Sequence, residues 1–244
     1  MRRRFFVEKF TENSATVEGD TAHHLGHVLR GQKGQLYELS NGATVWLARI
    51  ETVSRHRVEF TLVEQLPAAA AAAEITLLLS IVKFDAFEWA LEKATELGVV
   101  RIIPLAAARS EKSLVAAAAK RSERWRKILL ESSQQSRRLR VPELAPPAQP
   151  SEAFSTQSGG VHVMLSERPD APHIRAVLST AVSSEPSLAA VAIGPEGGWT
   201  DEEIASARAA GFREASLGSL ILRTETAVVS ALSVLNFALA PATD

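Results

Sequence analysis

The stretch VAIGPEGGWTDEEIASARAAG, residues 191–211, decides how most of this chain is read. Three apolar residues, Val191–Ile193, run into a loop of Gly194, Pro195, Glu196, Gly197 and Gly198, and a helix start follows at once. An apolar run that stops at glycines reads as a buried strand ending in a turn. Thr200 with Glu203 three residues on makes a capping box, so the helix start is satisfied by its own side chains. That counts against a phosphate at this helix N-terminus. The spacing also fails the GxGxxG and GxxxxGKS/T patterns, which disfavours an ordinary NAD or ATP site. In open α/β sheets ligands sit at the carboxyl ends of strands, and glycines admit positive φ or a close ligand. On this stretch alone, a tight turn and a ligand loop both remain open.

Working outward, the same alternation recurs. ITLLLSIV (75–82) is a continuous apolar run, as in a strand buried on both faces. A helix follows over Asp85–Leu97, with Phe87, Leu91, Ala94 and Leu97 on one face and Gly98 as its C′ residue. Further strands are predicted at VRIIPLA (100–106), VHVMLSE (161–167), LAAVAIG (188–194) and, shortly, Ala215–Leu217. Helices are predicted at about 119–139, 172–181, 201–210 and 225–239, with VPELAPPAQP (141–150) as a connection. The predicted fold class is α/β, a mostly parallel sheet with helices on both faces. Before the PAAAAAA stretch (67–73) the pattern differs. Ala43–Ile50 and Arg57–Val63 read as strands, Arg4–Val7 and Ala15–Val17 as further ones, with turns at Asn41-Gly42 and near Ser54 and a helix over Asp20–Leu29. A small β-barrel over residues 1–66, a linker over 67–73 and an α/β domain over 74–244 are expected.

The composition is that of a soluble globular protein of 244 residues, 46 % hydrophobic and 23 % charged. The absence of cysteine excludes disulfides and thiolate metal sites. No apolar run reaches membrane-spanning length and MRRRFFVEKF lacks signal-peptide features, so a cytoplasmic location with no membrane partner is expected. Net charge is −1, yet residues 120–140 hold eight Lys or Arg against two Glu. Such a face is the footprint of a phosphate-rich partner or simply a solvated helix surface.

A second loop lies in LGSLILRTETA, residues 217–227. Gly218 ends a short strand, Thr224 is placed to cap an amphipathic helix and Glu225 suits its first turn. Arg223 is harder to explain by capping, because a cation at a helix N-terminus is unfavourable.

IGPEGGWTDEEI followed by LGSLILRTETA closely resembles the RsmE-type 16S ribosomal RNA uridine-N3 methyltransferases of the SPOUT, or trefoil-knot, superfamily. FDAFEWALEKATELGVVRIIPL resembles that family's first helix and second strand, RWRKILLESSQQSRRLRVP its basic helix, and HHLGHVLR its N-terminal signature, so the resemblance covers nearly the whole chain. It implies a PUA-like barrel followed by a SPOUT α/β domain with a C-terminal knot. It also implies S-adenosylmethionine as cofactor, held in a bent shape by knot loops that wrap adenine and ribose largely with backbone. The cofactor residues implied are Leu165, Glu167, Gly194, Pro195, Glu196, Gly197, Gly198, Leu217, Gly218, Ile221, Leu222 and Thr226. Where the family generally has Pro-Arg between LG and ILR, this chain has Ser219-Leu220, which bears on the grip on RNA more than on the cofactor.

Uridine N3 carries a proton at neutral pH, so methylation needs a base or a cation that stabilises the uridylate. Arg223 is the candidate for the cation. Glu225 is the nearest candidate base, and is equally read as a first-turn helix glutamate. Arg2, Arg4, His24, Arg30, Lys83, Arg109, Arg137, Arg138 and Arg140 are candidates for contacts to 16S ribosomal RNA or the small ribosomal subunit. Trp125 is expected to pack rather than stack on a base. His23 and His27 are spaced i, i+4, but no HExxH pattern accompanies them and no metal is expected. The apolar helix 225–239 points to a buried core or a subunit interface, and the resemblance implies a homodimer. The competing readings are a non-catalytic RNA-binding protein that keeps the fold, a methyltransferase of another RNA, and a nucleotide-binding α/β enzyme of another kind.

Overall fold

The structure is a computed structural model and describes residues 3–68, 73–179 and 188–240. Arg2 and the central linker residues 69–72 lie outside the described residues. The chain divides into two compact units. One is Met1–Ala70 with Leu130–Val141, and the other is Ala71–Leu129 with Pro142–Asp244.

The first unit is built on β1 (Arg4–Phe6), β2 (Ser14–Glu18), β3 (Leu36–Ser40), β4 (Val45–Val53) and β5 (Arg57–Leu66). They form one mixed sheet in the order β1-β3-β4-β5-β2. The β1–β3 pair is parallel and the other pairs are antiparallel. The order leaves two edges, so this is an open half-barrel rather than a closed one. Register shifts in β4 at Leu47/Ala48 and Ile50/Thr52 give the long hairpin its bend. The turn expected at Asn41-Gly42 is present: Asn41 Oδ1 accepts from the N–H groups of Ala43 and Thr44, and Gly42 has φ +85°. Phe5, Leu25, Leu39, Ile50 and Phe60 are buried in its core, each stabilising by roughly 1.5–3 kcal/mol. The predicted Asp20–Leu29 helix is α1 (Gly19–His23) continued as a π-helical turn, His24–Val28.

The second unit carries an all-parallel sheet of six strands, β6 (Glu74–Ser80), β7 (Arg101–Leu105), β8 (Glu143–Leu144), β9 (Val161–Leu165), β10 (Leu188–Ile193) and β11 (Arg213–Ala215). Their order is β11-β9-β10-β6-β7-β8. Ile75, Leu77, Leu78 and Leu79 of β6 are all fully buried, which explains the unbroken apolar run. The helices are α2 (Phe84–Glu96), α3 (Lys112–Gln135), α4 (Pro150–Ser155), α5 (Ile174–Ser179), α6 (Asp201–Ala209) and α7 (Thr224–Leu239). Three expectations shift. The long helix starts at Lys112 rather than near 119, the short strand lies at Arg213–Ala215 rather than 215–217, and the 141–150 connection contains β8.

Strand β11 lies at the sheet edge beside β9, whereas α7 packs on α2 and β10. Between them the chain runs along the 166–174 loop. That loop holds it from both sides: Ser166 N–H donates to Ala215 O (2.9 Å), Ser216 N–H to Pro172 O (2.8 Å), and Ile174 N–H to Ser216 O (2.8 Å). Helix α7 buries Val228, Ala231, Leu232, Leu235 and Leu239 and leaves Phe237 88 % exposed. Asn236 Nδ2 ties it to the Leu97 carbonyl at 2.7 Å.

Candidate functional site

The carboxyl ends of β9, β10 and β11 open onto a cavity of about 730 Å³. The β10–α6 loop, Gly194–Gly198, forms one wall and the segment after β11, Leu217–Leu222, forms the other. Leu165 and Glu167 at the end of β9 complete it, and Arg223 stands at its edge. Of the twelve residues assigned to the cofactor, the cavity brings together all but Thr226. Glu225 and Thr226 sit in the first turn of α7, off the cavity wall, which leaves Arg223 the nearer of the two candidate catalytic residues.

The glycines of the first wall have local reasons. A Cβ on Gly194 would come within 3.1 Å of the Trp199 ring, and one on Gly197 within 3.1 Å of Arg109 Cβ. Gly198 takes φ +68°. Trp199 anchors this wall, its Nε1 donating to the Leu165 carbonyl at 2.9 Å and its ring meeting Phe154 edge-on at 6.0 Å. Sequence reasoning passed over Trp199, although its place immediately after the glycines was the available signal. The capping box is formed: Thr200 Oγ1 accepts from Glu203 N–H and Glu203 Oε2 from Thr200 N–H. The Glu202 carboxyl is held below its ordinary range, first by its own backbone N–H and then by Thr200.

The second wall is built differently. Thr224 does not cap α7. It is the first helical residue, and Arg223, with φ −64° and ψ 152°, is the N-cap without any side-chain cap. Arg223 is thus held in extended backbone, and among the described residues its side chain has no hydrogen bond or ion pair. The cavity wall carries Arg109, Arg168 and Arg223 against Glu167, Glu196 and Asp201. This near-balance of charge suits a ligand bearing both signs. Leu165, Ile193, Leu217 and Leu222 give it apolar ground for a flat ring.

The other basic candidates are dispersed. Lys83 is the exposed N-cap residue of α2 and lies off the cavity. Arg109, grouped with the RNA candidates on sequence grounds, is in the cavity wall. In the second unit Arg121 and Arg124 pair with the buried Glu88, at 3.5 and 2.7 Å. Trp125 packs on Phe87, with ring centroids 4.6 Å apart. In the first unit Arg4 Nη2 pairs with the buried Glu38 at 2.8 Å, and Arg137 reaches the other oxygen at 3.5 Å. Arg137 does so with φ +55°. Burial pulls Arg138 down to about 10, so it stays charged at neutral pH. Arg140 Nε donates to the Gly42 carbonyl. Arg30 is exposed, with φ +49°. His24 Nε2 is buried without a hydrogen-bond partner among the described residues, and His23 and His27 stack at 4.6 Å. Among the described residues no group of three or more His, Cys, Asp or Glu is placed to hold a metal ion.

The chain thus carries a half-barrel unit and a parallel-sheet unit with a glycine-lined cavity at its carboxyl edge, and both match domains of RNA-modifying enzymes. The RNA methyltransferase domain family matches residues 69–236, and the RNA methyltransferase PUA domain matches 17–63. The chain belongs to this RNA methyltransferase family, with a PUA-like first unit and a SPOUT-type, trefoil-knot second one. Its relatives include the ribosomal RNA small subunit methyltransferase E of Synechocystis, 33 % identical over 94 % of this chain and 75 % of that one. That of Bacillus subtilis is 30 % identical over 96 % of each. Two solved structures share the fold. One is a ribosomal RNA small subunit methyltransferase E from Neisseria gonorrhoeae bound to S-adenosyl methionine, with TM-score 0.85, 28 % identity, and 97 % of this chain and 98 % of that one covered. The other is a putative methyltransferase from Legionella pneumophila in complex with its cofactor SAM, with TM-score 0.86, 30 % identity and 98 % of both chains covered.

Proposed function

We propose that this chain is an S-adenosylmethionine-dependent methyltransferase of small-subunit ribosomal RNA, acting at N3 of a uridine. The observation that carries the reading is the cavity itself: two glycine-bearing loops meet there with Leu165, Glu167 and Arg223, in a chain of this family. The cofactor, when bound, supplies an electrophilic methyl group on a sulfonium. The protein's part is to hold, orient and discharge. Backbone groups of Gly194–Gly198 and Leu217–Leu222 offer edges for a nucleoside, while Glu167, Glu196 and Asp201 complement positive charge. Arg223, whose side chain has no hydrogen bond or ion pair among the described residues, stabilises the uridylate that forms when N3 gives up its proton. Glu225, two residues further on, enters only as a candidate base. The target base must be unpaired or flipped to reach this edge. Of the first unit's arginines, the exposed Arg30 and Arg140 are left to track phosphates, which fixes register more than sequence.

A homodimer belongs to the same reading. Phe237, Leu220 and Ile221 are 88, 80 and 81 % exposed in one chain, and side chains of this size are seldom left so bare without a partner surface. Among the described residues no helix is long and apolar enough to cross a membrane; a cytoplasmic reaction belongs to this reading through its ribosomal RNA substrate.

The test uses labelled S-adenosylmethionine and small ribosomal subunits from a strain lacking the activity, with mass spectrometry of the digested 16S RNA. A single 3-methyluridine is expected. Cofactor binding with no label on this RNA would favour a different RNA or a binding protein that keeps the fold.

A further inference from the structure

The loop after β7, Ala106–Ser110, and the Gly194–Gly198 loop after β10 are not neighbours in the sheet, because β6 lies between their strands. Two contacts nevertheless tie the first loop across, one to the second loop itself and one to the first turn of α6 that follows it. Arg109 Nη1 donates to the Gly197 carbonyl at 2.8 Å, across 88 residues of sequence. Ala108 N–H donates to Glu203 Oε1 at 2.8 Å, while the other oxygen of that carboxylate closes the capping box. The side-chain stem of Arg109 covers the site where Gly197 lacks a Cβ, with Cβ and Cδ at 3.1 and 3.4 Å from that position. A guanidinium that only met phosphate would need no glycine opposite it and no carbonyl to hold. Its charge also sits at the head of α6, where a cation is unfavourable. Asp201, Glu202 and Glu203 in the first turn offset that cost.

The geometry points to Arg109 as a positioning residue that braces the Gly194–Gly198 loop in its cofactor-ready shape, rather than as a contact to RNA. The inference rests on the reading of the cavity given above. Arg109 acts by fixing the Gly197 peptide. With that peptide fixed, the loop offers its backbone edges without first paying for order.

The experiment uses the full chain. Hydrogen–deuterium exchange without ligand, followed over peptides spanning 191–200, should be faster in Arg109→Ala than in the parent. S-adenosylmethionine affinity by calorimetry should fall about tenfold. Arg109→Lys, which keeps a cationic donor, should recover part of both. Affinity for ribosomal RNA measured without cofactor should change less than about twofold, the scale expected for a side chain outside the RNA contact. Unchanged exchange would overturn the brace. So would a loss of RNA affinity with cofactor affinity intact, which would return Arg109 to the RNA surface. A parent chain that does not bind the cofactor would overturn the reading of the cavity instead, while the exchange comparison would still decide the brace.

Discussion

The two walls of the cavity, one of glycine, proline and glutamate and the other mostly of leucine and isoleucine, are held in opposite ways. The Gly194–Gly198 wall and the residues just after it are tied at three points, by Trp199 to Leu165, by Arg109 to Gly197 and by Glu203 to Ala108. The Leu217–Leu222 wall has no side-chain hydrogen bond or ion pair among the described residues and exposes Leu220 and Ile221. The difference separates two tasks. A wall fixed beforehand loses little entropy when it takes up a small ligand. A wall held only by its ends can still adapt, which suits the side where a large RNA or a second copy of the chain arrives.

Removing the main anchor of the fixed wall should have the largest effect. Trp199 is 8 % exposed and its indole fills the space above Gly194. Trp199→Ala should cost about 3–5 kcal/mol in denaturant unfolding, with a matching loss of cofactor affinity. A variant that kept parental stability would break the claim that this wall is preorganised.

At the other wall, Arg223→Ala should separate chemistry from stability. Its side chain has no partner to lose among the described residues, so unfolding should shift by less than about 0.5 kcal/mol. The methylation rate should nevertheless fall by about 10²–10³, the scale for losing one group that stabilises a developing anion. An equal loss of stability would show that this wall too is structurally committed.

The same contrast governed what could be read before the fold was known. The continuous apolar runs of β6 and β10 and the capping box at Thr200 are local, and they stand where the sequence placed them. The strand LYELS, Leu36–Ser40, went unread because it is short and its burial pattern does not alternate. It carries Glu38, whose partners Arg4 and Arg137 lie 34 and 99 residues away. Two arginines that look like phosphate ligands in one dimension are therefore held by a buried carboxylate in three. Helix α4 was missed because six residues opening on a proline give little periodicity. Thr224 illustrates the opposite error. A threonine before a helix is a good cap by local chemistry, but the backbone bends one residue earlier, at Arg223. The cavity was legible through its motifs. The brace at Arg109 was not, since nothing near residue 109 in sequence announces Gly197.

The smallest effect on folding should come from the most unusual position. Leu220 stands where an arginine is usual in the resembled family, and it is 80 % exposed in the unbraced wall. Nothing packs on it that a longer polar side chain would disturb, so Leu220→Arg should change stability by less than about 0.5 kcal/mol. A cation there adds one phosphate contact if RNA approaches along this wall. Affinity for ribosomal RNA should then rise, and the slope of log affinity against log salt should steepen by about 0.7–0.9. Cofactor affinity should stay as it was, because the Leu217–Leu222 wall offers the cofactor its backbone and not this side chain, which is 80 % exposed. A steeper slope would place RNA against the loose wall. An unchanged slope, with a shift of the chain from dimer to monomer in light scattering, would instead give the exposed side chains of Leu220 and Ile221 to the partner copy, and the outer side of the loose wall would then meet a subunit rather than RNA.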